Sequence, residues 1–220
     1  MLEAALASWM PTVNSAGPVL LREPELPTGC PDVVALFRSG LPLSVPAARR
    51  RLTPRHFQLL QHLYEVKEAE VDRLADLLAV TDRLLAILVQ DLAGAALVRV
   101  SDSRVRPTPL ASVFGVNRIV AIEAKMTDWR TAITQASANT WFASESYVLL
   151  PYRSCVTNIA VEAERQGVGL LLFDGRVTEC PVPAKAREIP ASFGSWLLNE
   201  WLLLEAPNQS PLASHSGAPC

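Results

Sequence analysis

The chain has 220 residues, 50% of them apolar, with 20 basic and 22 acidic side chains and a formal charge of −2. Such a length can bury one sizeable core or two smaller ones, and the balance excludes a strongly basic nucleic-acid coat while leaving room for local basic patches. Cys30, Cys155, Cys180 and Cys220 stand far apart, with no CxxC pair and no histidines at zinc spacing, so buried or free thiols are expected rather than a metal-thiolate centre.

Residues 1–10 read as a short helix, and Glu3 lies where a signal peptide needs basic residues. No apolar run reaches the length of a bilayer span, and even "WLLNEWLLL" is broken by Asn199 and Glu200. The expectation is a soluble cytoplasmic protein with no membrane partner. Pro11 to Gly17 form a turn-rich break before two strand-like runs, "PVLLREPEL" and "PDVVALF", separated by Pro27, Thr28 and Gly29.

From Pro42 the chain becomes a Pro-punctuated, basic linker, "LPLSVPAARRRLTP", and then helical by period. Thr53 and Pro54 start a helix carrying Phe57, Leu60 and Tyr64 and ending near Val66. Val71, Leu74, Leu77 and Leu78 mark a second helix, and Thr81 can cap a third with Leu84, Leu85, Leu88 and Leu92. "ALVRVSDSRVRPTP" alternates as a two-stranded ribbon turning at Ser101, Asp102 and Ser103. Three short helices and a hairpin resemble a winged helix-turn-helix, with the hairpin as wing and the Thr81 helix in the recognition position.

The pattern then returns to α/β. "RIVAIEAKM" is a strand, apolar on both faces through Ile119, Val120, Ala121 and Ile122, as in a sheet covered on both sides. A helix from Thr127 to about Ala143 follows, then the strand "SYVLLP", a helix "TNIAVEAERQG" closed by Gly167, the strand "VGLLLF" and a last helix in "SFGSWLLNEWLLL". The tail from Pro207 is rich in Pro, Ser and Ala and is expected to be disordered.

Glu123 and Lys125 end the first of these strands two positions apart, so they share a face, separated by roughly 6.5 Å of rise. A lone Glu-x-Lys is a weak signal, but charges ending a doubly covered strand fall at a sheet edge or in the crevice where ligands bind. With residues 42–115 set aside, "PDVVAL" and "IVAIEAK" become neighbouring strands. Pro31-Asp32 at the head of one and Glu123-Ala124-Lys125 at the end of the other resemble the PD-(D/E)xK nuclease superfamily, the restriction-endonuclease-like fold. The resemblance covers most of the chain outside 42–115 and the tail. The family joins these two strands by a short connection, whereas here a whole domain lies between them, an insertion that costs little closure entropy.

The resemblance implies a mixed α/β sheet flanked by helices, here interrupted by the winged-helix-like insert read from residues 42–115. The domains would be 1–41 plus 116–206 for the nuclease-like part, 42–115 for the insert and 207–220 for the tail. It also implies a DNA nuclease using Mg²⁺, or Mn²⁺ in its place, with Asp32 and Glu123 as metal ligands, the Ala124 carbonyl completing the shell and Lys125 acting on the attacking water. Gln135, on the helix after the strand, either bonds a phosphate or the catalytic water or is a plain surface amide. Glu3 could serve as a first-helix acid but reads better as an exposed helix-start charge, and His56 and His62 read as surface or partly buried residues, not ligands.

For DNA binding, Arg83 lies on the proposed recognition helix, Arg99, Arg104 and Arg106 on or near the wing, and Arg49, Arg50 and Arg51 before the insert. The recognition helix is otherwise rich in Leu, Ala and Ile, which leaves open a homodimer or protein partner docked through the insert. The competing whole-protein reading is a non-catalytic DNA-binding or regulatory protein that keeps the nuclease fold as a scaffold.

Overall fold

Four consecutive buried positions, Ile119 to Ile122, need cover on both faces, and a central place in a mixed sheet gives it to them. The structure is a computed structural model that describes residues 2–10, 17–27, 29–40, 45–152 and 156–204; the tail expected from 207 lies outside these. In chain order the elements are α1 (Leu2–Trp9), β1 (Val19–Arg22), β2 (Val33–Arg38), α2 (Pro54–Val66), β3 (Ala69–Glu70), α3 (Val71–Leu77) and α4 (Asp82–Gly94). Next come β4 (Val98–Ser101), β5 (Arg104–Pro107), β6 (Val116–Ala124), α5 (Trp129–Asn139) and β7 (Glu145–Pro151). The last are α6 (Thr157–Gln166), β8 (Gly169–Phe173), β9 (Thr178–Val182) and α7 (Phe193–Leu204).

The chain divides into two units, one built from residues 1–38 and 116–190, the other from 39–115 and 191–207. The first is α/β, with a mixed six-stranded sheet in the order β1-β2-β6-β7-β8-β9. β1, β2 and β6 are antiparallel, β6, β7 and β8 run parallel, and β9 closes the sheet antiparallel to β8. Alternation along the strands sorts the core into two layers. Val33, Ala35, Val120, Ile122, Leu149 and Leu171 pack with Ala5 and Leu6 of α1. Val148, Leu150, Leu170 and Leu172 pack on the other face against α5 and α6, through Ala132, Ile133, Ala136, Ile159 and Ala163.

Three details differ from the sequence expectation. α5 starts at Trp129, because Asp128 caps it by accepting from the Thr131 amide at 3.1 Å, and it ends at Asn139, where the chain turns to carry Phe142 and Ala143 into the core. β9, a strand that no sequence pattern had marked, contains Pro181, which is accommodated at a sheet edge, where no partner needs its missing N–H. The third concerns α7.

The second unit orders α2, β3, α3, α4, β4 and β5, with a small sheet β3-β5-β4. The β4–β5 turn passes through Asp102 (φ 49°) and Ser103 (φ 62°), the paired positive-φ geometry that follows the twist of a tight hairpin. Thr81 caps α4, accepting from the Leu84 amide at 3.3 Å, and Thr53 caps α2 in a reciprocal pair with His56. His56 is buried there.

α7 was expected in the α/β part, but it belongs to this second unit. Its Trp196 is fully buried, with ring centroids 4.6 Å from Phe114, 5.9 Å from Tyr64 and 6.2 Å from Phe57. Asn199 and Glu200, polar interruptions of an apolar helix, are satisfied inside the same unit. Asn199 accepts from the Gly115 amide at 2.8 Å and donates to Glu200 at 2.9 Å, and Glu200 pairs with the buried Arg49 at 2.5 Å. Arg49, a candidate phosphate contact by sequence, is therefore a buried structural cation; it also donates to the Val113 carbonyl at 3.0 Å.

Candidate active site

The antiparallel register between β2 and β6 pairs Val33 with Ile122. One step further out, Asp32 comes opposite Glu123. Val33 and Ile122 face α1, so alternation turns Asp32 and Glu123 to the other face, the one α5 covers. The strand alternation that hides the apolar residues thus sets the two carboxylates side by side.

Contacts agree with that register. The Ala124 amide donates to Asp32 Oδ2 at 2.6 Å, and Lys125 Nζ lies 4.0 Å from the same oxygen. The Lys125 amide donates to the Leu149 carbonyl at 3.1 Å, so the backbone beyond Glu123 stays pinned to β7. The side chains of Asp32 and Lys125 are 28% and 31% exposed, whereas Glu123 is only 3% exposed. The site therefore grades from a buried glutamate to a wetter aspartate and lysine.

Glu123 is held from above by α5, where Asn139 Nδ2 donates to its Oε1 at 2.7 Å. Burial pushes the Glu123 carboxyl up to about 7; the Asn139 hydrogen bond opposes this, the negative charge of Asp32 adds to it and Lys125 reduces it.

Gln135, which the sequence left as either a site amide or a plain surface amide, is exposed, and among the described residues no hydrogen bond joins it to either carboxylate. The amide that reaches Glu123 is Asn139, one turn further along. Its signal was present in the sequence: Ala132, Ile133, Ala136 and Asn139 fall at helical spacing on one buried stripe, and a polar residue on such a stripe needs a polar partner beneath it.

The four arginines expected to contact DNA from the second unit, Arg83, Arg99, Arg104 and Arg106, separate into two kinds. Arg104 lies 3.7 Å from both Glu68 and Glu70, and Arg106 lies 2.9 Å from Glu68. The Arg106 hydrogen bond, foremost, holds the Glu68 carboxyl below the usual range. Arg83, in the first turn of α4, and Arg99, on β4, are exposed. Arg99 stands opposite Arg106 across the hairpin. Together with Ser101 and Asp102, Glu68, Arg99, Arg104 and Arg106 line an open hollow of about 730 Å³.

No family model, curated protein or solved structure matches the chain. Among the described residues no helix is long and apolar enough to cross a membrane, and no group of three or more His, Cys, Asp or Glu side chains could hold a metal ion. The site offers two carboxylates only. Two carboxylates could take part in holding a hard cation that keeps most of its water.

Proposed function

We propose that Asp32, Glu123 and Lys125 form the working site of a divalent-metal-dependent DNA nuclease of the PD-(D/E)xK type. The observation that carries this reading is the juxtaposition of Asp32 with Glu123 across β2 and β6, with the Lys125 ammonium 4.0 Å from Asp32. Asp32 and Glu123, with the Ala124 carbonyl, would hold Mg²⁺ or Mn²⁺. When bound, the cation supplies charge neutralisation for the phosphoryl oxygens and a hydroxide-like water at neutral pH.

The chain's own residues do the rest. Asn139 fixes the rotamer of Glu123 and leaves its second oxygen for the ligand. Burial keeps that carboxylate in a poorly solvated environment, where its negative charge acts at greater strength. The Ala124 amide orients Asp32. Lys125, half-exposed at the mouth, can hold the attacking water or neutralise the negative charge that grows on the phosphorus-bound oxygens. We read the second unit as a winged-helix-like module, a reading supported by its three helices followed by an arginine-bearing hairpin and by its small three-stranded sheet. Arg83 and Arg99 are its readiest phosphate contacts.

The non-catalytic alternative keeps the scaffold and uses only the arginines. Incubation of the protein with plasmid and with short labelled DNA, with Mg²⁺, Mn²⁺ or EDTA, separates the two. The nuclease reading predicts metal-dependent products, and the scaffold reading predicts intact DNA that is nonetheless bound.

A further inference from the structure

The end of the sheet that carries Lys125 also carries side chains that hydrolysis leaves unused. Tyr152 follows β7 and is 53% exposed, yet its amide still donates to the Phe173 carbonyl at 2.9 Å, so its backbone continues the sheet. In β7, Val148 and Leu150 face α5 and α6, while Tyr147 and Leu149 face α1. By alternation Tyr152 extends the Val148 and Leu150 row. Glu123 pairs with Val148 in the parallel register, so this is also the row of Glu123 and Lys125.

α5 begins at this same end, directly after β6. Its first residue, Trp129, is half-buried against that apolar layer, and the guanidinium of the exposed Arg130 lies over its ring, 4.3 Å from the centroid. An exposed tyrosine and a guanidinium stacked on indole thus stand on the face that carries a catalytic lysine. Flat π surfaces alternating with cations match the alternation of bases and phosphates in an unpaired strand. In intact duplex the base faces are already stacked on one another and cannot use such a surface.

We propose that Tyr152 and the Arg130–Trp129 stack form a platform on which unpaired bases of single-stranded DNA stack, presenting the strand's phosphates to Asp32, Glu123 and Lys125. The inference rests on the nuclease reading and names its substrate form: a single strand, an overhang or a frayed end.

The test is fluorescence anisotropy in EDTA, with three labelled probes: an oligothymidine, an equally long abasic strand of the same charge, and a blunt duplex. Wild type should bind oligothymidine about five- to a hundred-fold more tightly than the abasic strand, the range one or two stacked bases confer. Tyr152→Ala should erase most of that preference, Tyr152→Phe should keep it, Arg130→Ala should reduce it, and duplex affinity should hardly move for either Tyr152 variant. Tyr152 is exposed, so its variants should melt with wild type. Equal wild-type affinity for the two strands, or an equal loss on strand and duplex in Tyr152→Ala, would overturn the platform. The two readings fail separately: base-dependent binding without metal-dependent cleavage removes the nuclease, and cleavage without base preference removes the platform.

Discussion

Asn139 Nδ2 donates to Glu123 Oε1 at 2.7 Å, from the last residue of α5 to the penultimate residue of β6, and both side chains are almost wholly buried. Neither can turn to water, so each depends on the other. Asn139→Ala should cost about 1–3 kcal/mol, the range for stranding a buried polar group. Because the amide favours the ionised form, the loss should be greater at pH 8 than at pH 5.5. Urea denaturation at both pH values measures it; equal losses would mean that the amide does not support the carboxylate's charge.

Glu123 also gives the fold a pH dependence of known sign. Its carboxyl is raised to about 7 in the folded chain, from 4.5. Between these values the folded protein holds a proton that the unfolded chain has released. Stability from this group is therefore greatest at low pH, falls as pH rises from about 4.5 through 7, and is flat beyond. Glu200 is raised as well, chiefly by burial, and pulls in the same direction, but it is common to wild type and Glu123→Gln and cancels in their difference. Thermal melts across this window should show wild type losing ground to Glu123→Gln as pH rises; parallel curves would refute the shift.

Lys125 and Asp32 meet at 4.0 Å with both side chains partly exposed, and such a pair contributes at most about 1 kcal/mol. Lys125→Ala should therefore melt close to wild type while cleaving DNA roughly 100-fold or more slowly, as expected when a positioned proton-transfer or charge-stabilising group is lost. A structural salt bridge gives the opposite pattern, with an earlier melt and normal activity per folded molecule. Melting curves run beside cleavage rates distinguish them.

In the second unit Glu68 pairs with Arg104 and Arg106, and on the proposed DNA-binding reading it would compete with phosphate for them. Glu68→Gln should release both cations and tighten binding across all sequences, steepening the dependence of log affinity on log salt by about one to two phosphate contacts. Arg99→Ala should reduce that slope by about one. If neither change alters the salt dependence of DNA binding, the hairpin is not a DNA contact and protein docking becomes its better role.

That Glu123 and Lys125 share a face was legible from strand alternation alone, whereas Asp32 was singled out by the resemblance to the PD-(D/E)xK pattern, and its place opposite Glu123 rests on the β2–β6 register. The mixed α/β sheet was legible from the unbroken runs at 119–122 and 169–173. Asn139 was missed in favour of Gln135 because family resemblance pointed to an amide near the strand, while the buried stripe that singles out Asn139 was read only for its apolar members. The home of α7 was not legible: a helix apolar on nearly every side carries no record of which core it joins. Only the fit of Trp196 among Phe57, Tyr64 and Phe114, and of Glu200 against Arg49, assigns it. Those partners lie far away in sequence.

The central claim is that Asp32 and Glu123 together hold the cation for phosphodiester cleavage, and one measurement addresses it most directly: Mg²⁺-dependent cleavage of labelled single- and double-stranded DNA by wild type beside Asp32→Asn. Asp32 is partly exposed, so the substitution should leave the fold intact. The account predicts strand scission by wild type that disappears in EDTA and falls at least about 100-fold in Asp32→Asn. Wild type that leaves both substrates whole with Mg²⁺ and with Mn²⁺, or Asp32→Asn that cuts at the wild-type rate, would contradict it.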